Sequence, residues 1–453
     1  NKKMQITHFS NAFNSVKINK TVIACDPWVG ATNQTSWISY PVHKNGANIL
    51  KNLKPNYIYI SHLHCDHLDP KVLSKYKNKN IKVIIKKFSD QVLKRQISTL
   101  GYNNIMECKP WKKYKLNKDI SIAIIPQMSS NVSGLSEQIN YDMDTSIVIQ
   151  SNLSKEVFFN GVDNPLTVNN YKKVKNFITK YFNKKIAAAV VQVGAASEYP
   201  QCFLNIDRNK EKEKVIKESL SNLKLKLRIL QPEAYFSPSG GAILSGKYSI
   251  LNKYVAVPSY NRIIEFLKNE TYIVVDIAGG GKIIRKKKKW ILIKSKISKD
   301  ELRKKKIVKK YSNKKYFYSN DYKRIDQKDI DQTFFKSYEN YKKRLTNFQI
   351  NTNWDTEFCI YKNIFINLQG KINLKNSKFI KKYTLRYNKP NCKLLKKNYS
   401  KLKCHLDFNL FYGLLKGKYT NWNQPLSGSL VLYERKPNKF DPNILFSLNY
   451  LTV

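Results

Sequence analysis

The residues of this chain best suited to chemistry are its histidines, which are few and clustered. Three of the six histidines among 453 residues lie within six positions of one stretch, SHLHCDH at 61–67. Imidazole nitrogens beside a carboxylate are the ligands that a borderline divalent metal such as zinc selects. Such a cluster is not expected by chance at so low a histidine content, so the sequence predicts a metal site formed by His62, His64, Asp66 and His67.

The elements on either side of this cluster should place it on a tight loop. The apolar stretch at 57–60 predicts a strand that ends where the histidines begin. On the other side, Asp69 is a favourable N-cap and Pro70 a favourable first residue of a helix. We therefore expect the ligands to face a common point. Upstream, Asp26 ends another predicted strand and is expected to orient a ligand histidine through a hydrogen bond.

Further elements of the same kind fill the first 265 residues. Helix patterns occur at 89–101 and 207–227, between short runs rich in Val and Ile. Seven of these runs predict strands, at 21–26, 57–61, 81–85, 121–126, 145–150, 156–160 and 187–193. Strands that alternate with helices, with paired strands among them, indicate an α/β or mixed sandwich.

The length of the chain suits two or three domains. We expect an α/β domain at 1–265, a basic connecting segment at 266–330 and a smaller, strand-rich α+β accessory domain at 331–453. Lysines are concentrated at 283–315, where interleaved apolar residues favour a solvated linking face over an RNA-binding or lipid-binding one. The last segment contains no catalytic signature.

The charge balance favours an anionic substrate. The formal net charge is +50, from 82 Lys and Arg against 32 Asp and Glu. The excess is nearly all lysine, is spread over the whole chain and accompanies heavy use of Asn and Ile, whose codons are A/T-rich like those of lysine. Because a biased genome explains much of the excess, nucleic acid is not an expected partner, whereas an anionic small molecule is.

The pattern of cysteines and of apolar runs favours one cellular compartment. The seven cysteines are odd in number, scattered and without CxxC spacing, which predicts neither a disulfide framework nor a thiolate zinc finger. The first residues form no apolar leader, and no run approaches the 18–20 apolar residues that span a bilayer. We expect a cytoplasmic protein without a transmembrane segment.

Several motifs carry a resemblance to a known family. HxHxDH after an apolar strand, with ACDPWVG at 24–30 upstream, resembles the metallo-β-lactamase-fold hydrolases. THFSNAF near the start, VGAASEYP at 193–200 and PEAYFSPSGG at 232–241 are most similar to the branch containing CMP-N-acetylneuraminate hydroxylase and its bacterial relatives. The resemblance covers roughly residues 4–265. It implies an αββα sandwich with a dinuclear metal site at the edge between its two sheets.

The resemblance also implies how the ligands divide. The first two histidines of the cluster would serve one metal, and Asp66 and His67 the other. Asp163, which follows an apolar strand and a glycine-containing turn, would bridge the two. The family usually supplies a further histidine to each metal. This chain has none between His67 and Asp163, and only His405 after them.

The missing histidines leave the number and the identity of the metals open. We expect one or two divalent ions, with zinc first and iron as the alternative, because three protein ligands and an open position suffice for catalysis. Four residues are candidates to complete the ligand set, namely His8, Gln127, Asp144 and Glu198. His8 is preferred, since it follows the predicted first strand, where near relatives carry a histidine.

The expected activity is hydrolysis by a metal-bound hydroxide. A divalent metal lowers the pKa of bound water from 15.7 to about 7, which gives hydroxide at neutral pH. Asp66 is expected to hold or deprotonate that water, and His8 is the other candidate catalytic residue. The expected substrate is anionic, either phosphorylated or a nucleotide-linked, sugar-like molecule.

Two other functions stay open at this point. One is an iron-dependent monooxygenase similar to CMP-N-acetylneuraminate hydroxylase. A Rieske centre takes its ligands from a Cys-X-His and a Cys-X-X-His pair, and this chain does not contain both, so an oxygenase would need a separate electron-transfer partner. The other is a non-catalytic binding protein on a decayed enzyme scaffold, which the missing histidines suggest.

Overall fold

The structure, a computed structural model, describes most of the chain. The described residues are 3–128, 142–194, 197–238, 242–286, 289–297, 301–322, 326–348, 350, 354–386, 400–419 and 422–453. Parts of two motifs used above, 195–196 and 239–241, lie outside these ranges, as does Cys392. The six described cysteines are free thiols, in line with the absence of a predicted disulfide framework.

The described residues form 22 strands. They are β1 (Met4–Ser10), β2 (Phe13–Ile18), β3 (Thr21–Cys25), β4 (Ala31–Thr32), β5 (Trp37–Ser39), β6 (Tyr57–Tyr59), β7 (Lys82–Lys86), β8 (Ile105–Cys108), β9 (Tyr114–Lys115), β10 (Ile120–Pro126), β11 (Thr145–Ser151), β12 (Val157–Asn160), β13 (Ile186–Val190), β14 (Pro232–Phe236), β15 (Ala242–Leu244), β16 (Ile273–Val274), β17 (Gly281–Lys286), β18 (Lys289–Ile293), β19 (Trp354–Tyr361), β20 (Phe379–Leu385), β21 (Ser400–Asp407) and β22 (Leu432–Lys436). All seven runs predicted as strands are strands.

The same residues form 11 α-helices and two 3₁₀ helices, Gly246–Tyr254 and Phe317–Asn320. The α-helices are α1 (Gly46–Leu53), α2 (Pro70–Lys75), α3 (Val92–Thr99), α4 (Val168–Tyr181), α5 (Arg208–Leu230), α6 (Tyr260–Leu267), α7 (Glu301–Tyr311), α8 (Gln327–Asn347), α9 (Phe408–Leu415), α10 (Asn423–Ser427) and α11 (Pro442–Leu448). None of the described helices is long and apolar enough to cross a membrane.

Two large sheets lie face to face in the N-terminal part. One has the strand order β18-β17-β1-β2-β3-β6-β7-β8, and the other the order β16-β14-β13-β12-β11-β10-β9. Their strands alternate apolar side chains toward each other, and residues such as Ile23, Ile122 and Phe158 form one core between the sheets. This inner core is the centre of the fold.

Helices cover the outer faces of both sheets. α1, α2 and α3 pack on the eight-stranded sheet through residues such as Leu50, Leu73 and Ile97. α4, α5 and α6 pack on the seven-stranded sheet through residues such as Val174 and Leu227. The four layers are helix, sheet, sheet and helix, so the predicted αββα class is confirmed.

A smaller strand-rich part follows, as predicted. Its four-stranded sheet has the order β20-β19-β21-β22, and α8 and α9 pack against it. Its core is continuous with residues of the N-terminal part, among them Trp37 and Phe203. Backbone hydrogen bonds also join the two parts, because Tyr433 N donates to Cys202 O and Leu204 N to Tyr433 O, both at 2.8 Å.

The stretch 266–330 contributes strands to both large sheets. It supplies β16 to one edge of the seven-stranded sheet, and β17 and β18 to one edge of the eight-stranded sheet, where β17 pairs with β1. The predicted domain boundaries at 265 and 330 stay predictions.

The inner core should dominate the stability of the αββα part. Phe158 is fully buried between the two sheets, whereas Phe335 on α8 is 62% exposed. We expect Phe158→Ala to lower the free energy of unfolding by about 3–5 kcal/mol, because a large cavity remains. Phe335→Ala should change it by less than about 0.5 kcal/mol. Denaturant titrations of both variants measure this difference, and similar values for both would contradict this assignment of the core.

Candidate metal centre

The histidine cluster lies at an edge where strands of both sheets end. It follows β6, and the backbone N–H groups of His67 and Leu68 donate to the carbonyl oxygen of His64 at 2.9 and 2.8 Å. This turn brings the cluster back toward its own strand. Asp69 then caps α2, since its Oδ1 accepts from two backbone N–H groups in the first turn of that helix. The loop between a strand end and a helix start is therefore as predicted.

One buried carboxylate holds this loop. Asp26 directly follows β3, is fully buried and has a left-handed φ of 44°. Its Oδ1 accepts from Ser61 N at 2.8 Å, and its Oδ2 accepts from Ser61 Oγ at 2.7 Å. The same Oδ2 lies 2.9 Å from Nδ1 of His67. Because a carboxylate only accepts, Nδ1 of His67 carries the proton and Nε2 is left to face the centre.

The orientation of His62 follows from the same contacts. Ser61 Oγ donates to Asp26, so it accepts from Nδ1 of His62, which lies 2.9 Å away. Nε2 of His62 then lies 2.7 Å from Nδ1 of His64 and 3.3 Å from Oδ1 of Asp144. Burial and the neighbouring histidines hold the pKa of His62 well below its usual value, so its ring is neutral and its lone pair is available.

Carboxylates surround the third histidine. Nε2 of His67 lies 3.0 Å from Oδ2 of Asp163 and 3.7 Å from Oδ2 of Asp66. Burial alone would lower the pKa of His67, but the carboxylates of Asp163, Asp66 and Asp26 outweigh it and raise this pKa well above its usual value. Burial and the nearby Asp163 raise the pKa of Asp66, against the attraction of His67. Burial alone would raise the pKa of Asp163, but the charge and hydrogen bond of His67, together with the attraction of His64, outweigh it and lower this pKa.

This donor set fits a divalent metal. Among the described residues, two groups of three have ligand atoms within 4.8 Å of one another, namely His62, His64 and Asp144, and His62, His67 and Asp163. Neutral imidazole with carboxylate suits zinc or iron. The two groups overlap at His62. Because one histidine nitrogen binds only one ion, His62 could serve only one of two ions bound there.

Three other predicted site residues, His8, Gln127 and Glu198, lie outside the two donor groups. His8, on β1, lies outside both donor groups, with Nε2 2.8 Å from the carbonyl oxygen of Asn11 and its ring 5.2 Å from that of Phe236. Gln127 contacts the centre through Asp144, because its Oε1 accepts from Asp144 N at 3.1 Å. Glu198 also lies outside both groups, and burial raises the pKa of its carboxyl.

Asp144 was one of four candidates in the sequence, and the structure singles it out. It directly precedes β11, which pairs with β10 and β12 in the second sheet. Nothing in the local sequence ties it to His62, which belongs to the other sheet. The role of Ser61 was missed altogether, although its place between a strand and the first histidine was a usable signal.

A cleft opens beside the centre. Asp66, His67 and Asp163 line it, whereas His62, His64 and Asp144 do not. The other lining residues are neutral, namely Asn11, Ala12, Trp37, Gln192, Gly194, Ser197, Gln201, Pro238, Ala242, Leu244, Val255, Val257, Ser427 and Ser429. A small molecule in this cleft would therefore meet the group around His67 first.

Comparisons with curated proteins find partial relatives. No protein-family model matches the chain. A protein of Mycolicibacterium smegmatis, named as a Rieske 2Fe-2S iron-sulfur protein, is 31% identical over 126 residues, which is 27% of this chain and 24% of that protein. Cytidine monophosphate-N-acetylneuraminic acid hydroxylase of Asterias rubens is 31% identical over 152 residues, 32% of this chain and 21% of that protein. The chain thus spans about a quarter of the length of these relatives or less.

Solved structures also match part of this chain. A metallo hydrolase from the hyperthermophilic archaeon Ignicoccus hospitalis matches with a TM-score of 0.43 and 14% identity, over 63% of this chain and 99% of that one. The diiron β-hydroxylase CmlA from Streptomyces venezuelae matches with a TM-score of 0.41 and 13% identity, over 60% of this chain and 52% of that one.

The contact between Asp26 and His67 gives a testable prediction. We expect Asp26→Asn to weaken zinc binding by about 10-fold to 100-fold, because the amide no longer fixes the ring and its proton. Asp119→Asn is a matched control, since Asp119 is also buried but accepts from Asn19 and Thr21 instead. Competition with a chromophoric chelator measures both affinities, and an equal loss in the two variants would refute this role of Asp26.

Proposed function

We propose that this chain is a metal-dependent hydrolase of the metallo-β-lactamase superfamily. The observation that carries the proposal is a pair of overlapping His and Asp donor groups, of which His67 and Asp163 also line a cleft. The confirmed αββα architecture supports it, because the donors come from strand ends of both sheets. The partial relatives agree with a metal-dependent enzyme and do not define the reaction.

We assign the ligands as follows. His62, His64 and Asp144 would hold one divalent ion, and Asp66, His67 and Asp163 a second, with Asp163 close enough to His62 to be shared. Zinc is the proposed metal. When bound, it would polarise a substrate carbonyl and lower the pKa of water to about 7.

The remaining steps belong to residues of the chain. Asp66 lines the cleft beside His67, where its carboxylate can accept the proton of the attacking water. Asp26 keeps Nε2 of His67 directed at the centre. We propose a positioning role for His8, because its Nε2 contacts the carbonyl oxygen of Asn11, a lining residue.

An iron-dependent oxygenase is the second candidate. It is favoured by the partial relatives, since one is a CMP-N-acetylneuraminic acid hydroxylase and another is named as a Rieske protein. Two histidines and one carboxylate, as in His62, His64 and Asp144, also suit non-haem iron. The electrons would then come from an iron–sulfur centre outside these 453 residues, because these contain a Cys-X-His pair at Cys65 and His67 but no Cys-X-X-His pair.

The metal decides between these functions. We expect elemental analysis of the purified chain to find one or two zinc ions per chain, and chelation to abolish ester hydrolysis until zinc is restored. Iron in the protein, with no hydrolysis after zinc loading, would favour the oxygenase. A chain that binds no divalent metal after reconstitution would exclude both enzymatic proposals.

Neighbouring residues of the cluster provide a matched pair of variants. We expect His64→Ala to lower kcat/KM for 4-nitrophenyl acetate by about 100-fold or more, because one ligand is lost. Cys65→Ser should leave it within about 2-fold. The Cys65 Sγ lies 3.2 Å from Asn33 Oδ1, a contact that a serine hydroxyl can replace, and neither donor group includes it. Loss of activity in Cys65→Ser with full activity in His64→Ala would show that the centre is assigned wrongly.

A further inference from the structure

A second cleft, lined mainly by lysine and asparagine, lies apart from the metal centre. We call it the basic cleft, after its five lysines, Lys247, Lys314, Lys315, Lys362 and Lys378. None of the described residues lines both this cleft and the one beside the metal centre. We propose that the basic cleft binds a chain of phosphate groups, either inorganic polyphosphate or the phosphates of a nucleotide. This site is separate from the proposed hydrolase centre and does not depend on it.

The basic cleft concentrates positive charge. Five of its sixteen lining residues are lysine, whereas Lys and Arg together make up 82 of the 453 residues of the chain. The codon bias that raises the lysine content acts on the whole chain, so it does not explain why lysines from separate stretches meet in one concave site. Like charges held together in this way repel and destabilise the folded chain unless an anion offsets them.

The one carboxylate among the described lining residues does not supply that anion. Asp407 is 4% exposed and already has three donors. Its Oδ1 accepts from Ile364 N at 2.8 Å, and its Oδ2 accepts from the Tyr318 hydroxyl at 2.8 Å and from Lys247 Nζ at 2.6 Å. Asp407 therefore neutralises Lys247 alone, and none of the other four lysines pairs with a described carboxylate.

Lys247 is held in place and keeps a donor for a ligand. Its side chain is 25% exposed, and its Nζ donates to Asp407 Oδ2 and to Asn363 Oδ1, the latter at 2.7 Å. An ammonium group has three N–H donors, so one is left. Because Asn363 accepts through its oxygen, its amide N–H groups are further donors in the same lining. Ammonium and amide donors side by side suit the oxygens of a phosphate.

The amount of unpaired charge indicates more than one phosphate group. A phosphate monoester carries about 1.5–2 negative charges at pH 7, so at least two groups are needed to offset four lysines. The lining joins the stretches 312–320, 362–378 and 407–409 with Lys247 and forms a concave site, which favours a compact anion over a lipid surface. Phe365 is 45% exposed in the same lining and offers a face on which a nucleotide base can stack.

Binding of inorganic triphosphate to the purified full chain tests the inference. At about 0.15 M salt, where separate surface charges are screened, we expect Lys315→Gln combined with Lys362→Gln to weaken this binding at least 10-fold. Both lysines are exposed, so the variant should stay folded, which circular dichroism verifies. Lys17→Gln combined with Lys20→Gln is the matched control, because it removes two exposed lysines around the turn between β2 and β3, outside the basic cleft. The control should change the affinity by less than 2-fold, and equal losses in the two double variants would overturn the inference.

A third variant separates the basic cleft from the metal centre. His64 belongs to the metal centre and does not line the basic cleft, so His64→Ala should leave triphosphate binding within about 2-fold. Loss of binding in this variant would place the triphosphate on the metal centre and overturn the inference. Absence of hydrolysis in every variant would count against the proposed hydrolase and not against the basic cleft.

The source of the phosphates follows from a comparison of ligands. Tighter binding of ATP than of triphosphate, with the difference removed by Phe365→Leu, would support a nucleotide. Equal binding of both would support inorganic polyphosphate. The inference would be overturned if the unmodified chain bound neither, or if it bound a single-stranded oligonucleotide more tightly than both, since an extended nucleic acid would then be the ligand.

Discussion

The buried carboxylate of Asp26 is the constraint on which the centre depends. It lies at the end of β3, next to the end of β6 in a parallel pair, and it accepts from both the backbone and the hydroxyl of Ser61. These contacts fix the first residue of the histidine loop. Because Asp26 also contacts Nδ1 of His67, the two ends of that loop are tied to one carboxylate. A charge so deeply buried is tolerable only because several donors surround it.

The hydrogen bonds around Ser61 also reach the second sheet. Ser61 O accepts from Thr145 Oγ1 at 2.7 Å, and Thr145 Oγ1 also lies 2.6 Å from the hydroxyl of Tyr59. Thr145 begins β11 of the second sheet and follows Asp144 directly. The loop that carries the histidines and the residue that supplies a carboxylate to them are thus held together by buried hydrogen bonds between the sheets. The geometry of the centre therefore depends on how the two sheets are aligned with each other.

Much of the fold and of the loop around the histidines could be predicted from short stretches of the sequence. The strand before the cluster, the Asp69 cap and the αββα class all follow from residues that are close in sequence, because hydrophobic periodicity and capping are local effects. The selection of Asp144 over Glu198 was not predictable, since it depends on how two sheets pack across the inner core. The preferred role of His8 stays a prediction, and its Nε2 contacts the carbonyl oxygen of Asn11. The anionic substrate stays a prediction, because the net charge averages over the whole surface and the cleft lining is only a small part of it.

The position of the cleft assigns unequal roles to the two donor groups. Asp66, His67 and Asp163 line it, so under the proposed function a substrate would reach these residues and proton transfer would take place on this side. His62, His64 and Asp144 lie behind them and do not line it. In place of the histidine that the resemblance would supply, Asp144 adds a negative charge to the group behind the cleft. The three carboxylates Asp66, Asp144 and Asp163 together offset most of the charge of two divalent ions. Two divalent ions carry four positive charges, so with these three carboxylates the centre would keep a net positive charge of one. The proposed ions, and not the neutral walls, would then give the cleft its positive charge.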